Sequence, residues 1–366
     1  MRKSLDRTGR GVVCTLASLA LSAALSSAVA APATTESAES ARIPFAERYH
    51  ATLHGGITRA ANSSVTCKAA AGRTTTPCAA AQQGAAGSNG QYRMAAIDVD
   101  SDARTDSSSS ATLHLPAGSR VRYARLYWGG SLRGNGQRTT GEHGKVLIAG
   151  PGGRYREVRA DTMTGHRPHS AAAGFQASAE VTELVRSSGG GAYTVARTQQ
   201  ATGRSAAGLW GGWTLVAAYE TAKQPLRRIA LWDGFQSLDA DRRELSVRLS
   251  GHGIPVNSRG RAGVVAYDGD RGSGKDTLSV RAGLHRAHTV RDAANPANDV
   301  MNSTVTDFGR ATLRWPAYRN TLGFDSDVFD ITPALHSGGD RLAFRFTTGK
   351  PGYLLGALFV QTDTGR

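Results

Sequence analysis

The sequence predicts an all-β protein. Three observations carry that expectation. Roughly ten short segments rich in β-branched and aromatic residues lie between Gly, Asn and Pro. No long segment keeps a helical period. Landmarks of the first half return in the same order in the second. Together they point to two tandem jelly-roll-like β-sandwiches with short helices. The 366 residues are enough for two ordinary domains. A composition of 40% hydrophobic and 20% charged residues excludes a disordered polyampholyte and a membrane bundle.

The expected strands are 111–115, 121–128, 145–149, 193–197, 213–219, 228–232, 245–249, 263–267, 312–315, 342–346 and 354–361. Pro116, Ala117 and Gly118 mark a turn between the first two. Helices are expected only at 179–186 and 332–336, the second opened by Asp330 or Thr332 as a cap and Pro333 in its first turn. These helices begin the internal repeat. Residues 180–185 answer 330–335, 212–215 answer 352–355, and 126–129 answer 231–234. The expected organisation is a signal peptide at 1–30, a disordered lead at 31–48, one sandwich at 49–222 and another at 225–366.

The start reads as an export signal. Arg2, Lys3, Arg7 and Arg10 precede an apolar stretch at 11–25, and Ala28, Val29 and Ala30 suit cleavage. No later stretch is apolar for long enough to cross a bilayer. The formal charge is +15, of which the leader carries little, and 38 of the 44 basic residues are Arg. Such a chain favours polyanions. The arginines are scattered, without the aromatic interleaving of a nucleic-acid motif, so no nucleic-acid partner is expected. Cys14 leaves with the leader, and Cys67 and Cys78 remain for one disulfide in an oxidising compartment. A zinc site lacks two further ligands at suitable spacing.

Three acidic sets are candidates for calcium, which takes six to eight oxygens. They are Asp98, Asp100, Asp102 and Asp106; Asp325, Asp327 and Asp330; and Asp268, Asp270 and Asp276. The bland alternative is that these residues serve turns and helix caps. Residues 269–275 spell G-x-x-x-x-G-K, but Asp276 stands where a phosphate loop needs Ser or Thr, so a Gly-rich hairpin is expected. Tyr127, Trp128 and Trp210 are the candidate sugar-stacking aromatics, with Trp213, Trp232 and Trp315 as further members of the set. Catalysis has little support. The pairs His166/His169 and His285/His288 fall outside helical segments, and no G-x-S-x-G occurs. Glu142, Glu180 and Glu220 are conceivable acids with nothing to favour them.

Residues 97–102, 107–113, 126–130, 212–216, 232–235, 302–303 and 323–331 together resemble an uncharacterised family of secreted bacterial surface proteins. That region often precedes immunoglobulin-like adhesin repeats. The resemblance spans roughly residues 50 to 362 and implies an exported, surface-associated β-rich protein, with no catalytic residues to carry over. Arg125 departs from the pattern, where a small residue is usual, and the downstream repeats and wall anchor are missing. The expected function is non-catalytic binding of a glycan or anionic wall polymer at the cell envelope, in adhesin-like fashion. The alternative is a secreted hydrolase acting on an extracellular polymer.

Overall fold

The computed structural model describes residues 43–72, 74–164, 173–251, 253–272, 274–349 and 352–364. The expected leader, most of the expected lead and the His166/His169 pair lie outside them. The first half holds strands β1 (Ile43–Ser63), β2 (Val65–Ala70), β3 (Tyr92–Ala96), β4 (Ser108–Leu113), β5 (Arg120–Ser131), β6 (Arg133–Gly134), β7 (Gln137–Arg138), β8 (Lys145–Ala149), β9 (Arg156–Arg159), β10 (Thr162–Thr164), β11 (Gly174–Glu180), β12 (Gly191–Ala196) and β13 (Gly211–Glu220). Its helices are α1 (Cys78–Gln82) and α2 (Thr182–Ser188). The second half holds β14 (Leu226–Leu238), β15 (Glu244–Leu249), β16 (Gly260–Tyr267), β17 (Thr277–Ala282), β18 (His288–Thr289), β19 (Val305–Asp307), β20 (Arg310–Ala311), β21 (Arg314–Trp315), β22 (Phe324–Asp330), β23 (Leu342–Thr347) and β24 (Tyr353–Asp363), with helix α3 (Thr332–Leu335).

The two halves repeat one topology. Hydrogen bonding runs β11-β5-β13-β1 in the first half and β22-β16-β24-β14 in the second. Each half adds an outer sheet, ordered β4-β12-β8 and β15-β23-β17. The short helices α2 and α3 follow equivalent strands, β11 and β22. Two landmarks of the sequence repeat therefore sit on equivalent elements. The third does not: residues 126–129 are on β5, whose counterpart is β16, whereas 231–234 are on β14.

β1 belongs to both halves. Residues 43–54 pair with β14, and residues 55–63 pair with β13. The lead expected to be disordered up to residue 48 thus gives way to strand at Ile43. The change of partner falls at Gly55 and Gly56. A Cβ on Gly55 would stand 1.9 Å from the Tyr219 carbonyl oxygen, and one on Gly56 would stand 2.7 Å from the Tyr219 hydroxyl. Only residues without side chains let the strand pass that close to β13.

Three cores follow from this layering. Trp128, Trp213 and Leu215 pack against Val146, Ile148, Tyr193 and Val195 of the first outer sheet. Ala230, Leu358 and Val360 pack with Val247, Val280 and Phe344 of the second. Between the two inner sheets lie Tyr127, Val216, Ile229, Leu231, Val265 and Phe359. Polar bonds cross that middle layer. The Tyr267 hydroxyl donates to Gln176 Oε1 at 3.0 Å, and Gln176 Nε2 donates to the Gly234 and Gly356 carbonyls at 3.1 Å. Thr214 and Ser326 hydroxyls meet at 3.1 Å.

A buried ion network joins the same layers. Asp233 on β14 accepts from Arg48 Nε at 2.8 Å, from Arg48 Nη2 at 2.9 Å and from the Tyr127 hydroxyl at 2.8 Å. Arg125 on β5 reaches Asp161, Thr162 and Ser178, and its Nε is 3.7 Å from Asp233. Burial opposes the charge on Arg125, but the bonds to Asp161 outweigh it and raise its pKa above the ordinary arginine value.

Insertions also cross between the halves. The segment after β1 packs on the second half, where Asn89 Nδ2 donates to Asp268 Oδ1 at 2.9 Å and Asn320 Nδ2 to the Ala85 carbonyl at 3.1 Å. In return β21 joins the edge of the first outer sheet beside β4. The Cys67–Cys78 disulfide ties β2 to the start of α1 across a sequence separation of 11. A closed loop of that size contributes about 3 kcal/mol on the chain-entropy account. Among the described residues no helix is long and apolar enough to cross a membrane.

Candidate functional site

The aromatics singled out in the sequence are not on the surface. Tyr127, Trp128 and Trp210 are each at most 1% exposed. Alternation along β5 puts Tyr127 and Trp128 on opposite faces, as expected, but both faces are covered. Trp128 faces the outer sheet and donates its Nε1–H to the His143 carbonyl at 2.8 Å. Tyr127 faces the opposite inner sheet. Trp210 packs at a tilt against Tyr267, with ring centroids 4.8 Å apart and planes 32° apart. A strand buried between two other sheets has no solvent face to offer.

The acidic sets separate too. Asp98, Asp100 and Asp102 hold their own loop together. Asp98 accepts from the Ser108 hydroxyl at 2.8 Å, and Asp100 accepts from the Asp102 N–H, the Thr105 hydroxyl and Tyr155. Asp102 pairs with Arg104 at 2.5 Å. Partial burial works against the Asp100 carboxylate, but these donors prevail and lower its pKa. Asp106 lies within 3.5 Å of the Ser107 hydroxyl. This loop spends its oxygens on local donors, as an Asp-rich turn does. Asp330 is exposed and accepts from the Thr332 N–H at 2.9 Å at the start of α3, so it serves as a cap apart from Asp325 and Asp327, which are buried. Among the described residues no group of three or more His, Cys, Asp or Glu side chains could hold a metal ion.

Asp276, in the third set, is buried and accepts from the Thr348 hydroxyl at 2.7 Å. Burial pushes its carboxyl up to about 6, with Asp299 adding to the effect. The folded chain therefore keeps a proton that the unfolded chain has released. Stability from this group is full below the ordinary Asp pKa and is lost as pH rises to about 6, amounting to about 3 kcal/mol. Urea melts from pH 4 to pH 7 should show that loss, and Asp276→Asn should flatten that part of the profile. An unchanged slope in the variant would contradict this account.

One tryptophan does face solvent. Trp315 on β21 is 66% exposed, and Leu313 beside it is 65% exposed. Trp315 pairs with Ser110 of β4, which pairs with Thr194 of β12. The neighbouring Ala111 points into the core, so Ser110, Thr194 and Trp315 share the outer face. Ser110 and Thr194 hydroxyls are 2.9 Å apart. One step along β4, about 7 Å away, Ser108 carries the Asp98–Asp102 loop. The ring stands on a fixed support. The Thr112 N–H donates to the Leu313 carbonyl at 2.9 Å, and Asn62 Nδ2 donates to the Pro316 carbonyl at 3.2 Å. The result is a flat row of aromatic ring and hydroxyls, flanked by carboxylates.

A polar cleft of about 530 Å³ opens elsewhere, between the disulfide-bearing insertion and the Gly-rich hairpin. Thr75, Thr76, Ser88, Asn89, Gln91 and Arg271 line it, and Asp270 is its one lining carboxylate. Burial pushes Asp270 up to about 7.

No protein-family profile and no curated protein matches the chain. A solved chain of Sulfolobus turreted icosahedral virus is 9% identical to it, and the match covers 86% of this chain and 89% of that chain at a TM-score of 0.20. That score falls short of a common fold, so the all-β sandwich architecture rests on the strands and their pairing.

Proposed function

We propose that this chain is an exported, envelope-associated protein that binds a glycan or an anionic wall polymer without cutting it. The exposed Trp315 ring beside the Ser110 and Thr194 hydroxyls carries this reading. A sugar ring presents apolar C–H faces and equatorial hydroxyls. An aromatic plane next to fixed hydroxyl groups answers both at once. The support is rigid, so little conformational freedom is lost on binding. A disulfide and a leader-like start suit the exported compartment.

Trp315→Ala is the direct test. The side chain is largely in solvent, so the fold stays intact. Affinity for isolated cell-wall glycan or teichoic polymer, measured by calorimetry, should fall about tenfold or more. Equal binding by the two proteins, or no binding to any wall fraction by either, would remove the reading.

A further inference from the structure

The segment 292–304 and strand β22 bring oxygens together in a way their protons do not explain. Thr304 Oγ1 lies 2.8 Å from Asn295 Oδ1, 3.0 Å from Asn302 Oδ1 and 3.1 Å from each carboxylate oxygen of Asp327. A hydroxyl has one proton to give. Asp327 Oδ1 takes two others, from the Thr306 N–H at 2.8 Å and the Thr306 hydroxyl at 2.5 Å. The two amide oxygens and Asp327 Oδ2 still share the single Thr304 proton. The amides cannot be turned to supply more. Asn302 Nδ2 donates to the Ala294 carbonyl at 2.9 Å, and Asn295 Nδ2 donates to Asp292 Oδ1 at 3.0 Å. A carbonyl and a carboxylate only accept, so both amide oxygens must point inward.

Asp325 adds a second, independent sign. It is 1% exposed, its Oδ1 accepts the Thr304 N–H at 3.0 Å, and its Oδ2 has no hydrogen-bond partner. That oxygen lies beside Gly269. It and the Met301 carbonyl stand 2.7 and 2.3 Å from the position a Cβ on Gly269 would take. Every residue of the group is at least nine-tenths buried.

We propose that Asp327, Asn295, Asn302 and Thr304, with Asp325 beside them, hold one buried calcium ion. Oxygens bound to calcium at about 2.4 Å stand about 3 Å from one another. That is the spacing around Thr304. The donors are all hard oxygens, as calcium prefers. The charges agree. Arg59 is paired with Asp307 at 3.1 Å. Asp276, Asp292, Asp325 and Asp327 act on this pocket against Arg59 and Arg314, so with all four ionised the carboxylates exceed the cations by two, the charge of one divalent cation. The site lies inside the second half and does not depend on the glycan reading.

The test uses the whole exported chain. After purification with calcium and desalting, metal analysis should return one calcium per chain. Calcium in large excess over its Kd should raise Tm by about 5 °C relative to chelator. Thr304→Val keeps the side-chain volume and removes a ligand, so calcium affinity should fall about tenfold or more, whereas Thr304→Ser should keep it. Asp327→Asn should abolish the Tm response if it folds, and the Thr304 pair decides the matter if it does not. A chain without calcium, whose Tm is the same in calcium and in chelator, overturns the proposal. Water or shared protons would then fill the gap between these oxygens.

Discussion

Replacing Asp233 with Ala should cost about 2–3 kcal/mol of stability, read from the midpoint of urea unfolding. The carboxylate is 5% exposed and holds both bonding edges of Arg48 and the Tyr127 hydroxyl. Without it, Arg125 loses a neighbouring negative charge inside the middle layer, and Tyr127 loses its acceptor. Arg125 keeps Asp161 and Arg48 is 31% exposed to water, so the cost falls mainly on the buried Tyr127 hydroxyl left without its acceptor. A surface pair gives the contrast. Arg345 meets Glu244 at 2.7 Å, but both side chains are at least half exposed, so Arg345→Ala should change stability by less than about 1 kcal/mol. If the two variants proved equal, the network would not be what joins the inner sheets.

Gly55→Ala should be at least as damaging, at about 4 kcal/mol or more, or should leave no soluble protein. The added Cβ would lie 1.9 Å from a backbone oxygen of β13 and 2.7 Å from Leu53 Cδ1. A carbonyl within a sheet ladder cannot move aside as a side chain can. Gly72→Ala is the matched control, because nothing lies within 4 Å of its Cβ position. Expression level and thermal melts of the two variants give the answer. A stable Gly55→Ala protein would mean that β1 does not change partners where the structure places the change.

Face alternation and apolar runs each made some strands legible, among them the doubly buried β13, β16 and β24, but alternating β17 was missed. β8, β15 and β23 alternate buried and less buried positions, and their boundaries were legible within a residue. β11 and β22 were not. Both are buried on both faces and carry polar residues inside, such as Gln176, Ser178, Asp325 and Asp327. Periodicity has nothing to report for such a strand. β1 escaped for a related reason, since its Gly-, Ala- and Thr-rich course serves two sheets in turn.

Alternation also misleads at the candidate site. In Leu313-Arg314-Trp315 it assigns Leu and Trp to the core and Arg to solvent. The structure reverses this. Arg314 is buried and donates to the Tyr318 carbonyl at 2.6 Å, while Leu313 and Trp315 face out. Trp315 is one of five tryptophans in the sequence, and nothing local separates it from the four that are buried or partly buried. Its exposure depends on β21 leaving the second half to edge a sheet of the first, a contact between residues some two hundred positions apart in the chain.

The arrangement of β1 also bears on how the molecule comes apart. Neither sandwich owns a complete set of strands, because the opening segment is stitched into both, and each half lends the other an insertion. A chain built this way has no natural place to divide. The two halves are expected to unfold together, and a half-molecule severed at the 221–225 turn would be an incomplete sheet with bare edges, prone to pair with whatever strand it meets.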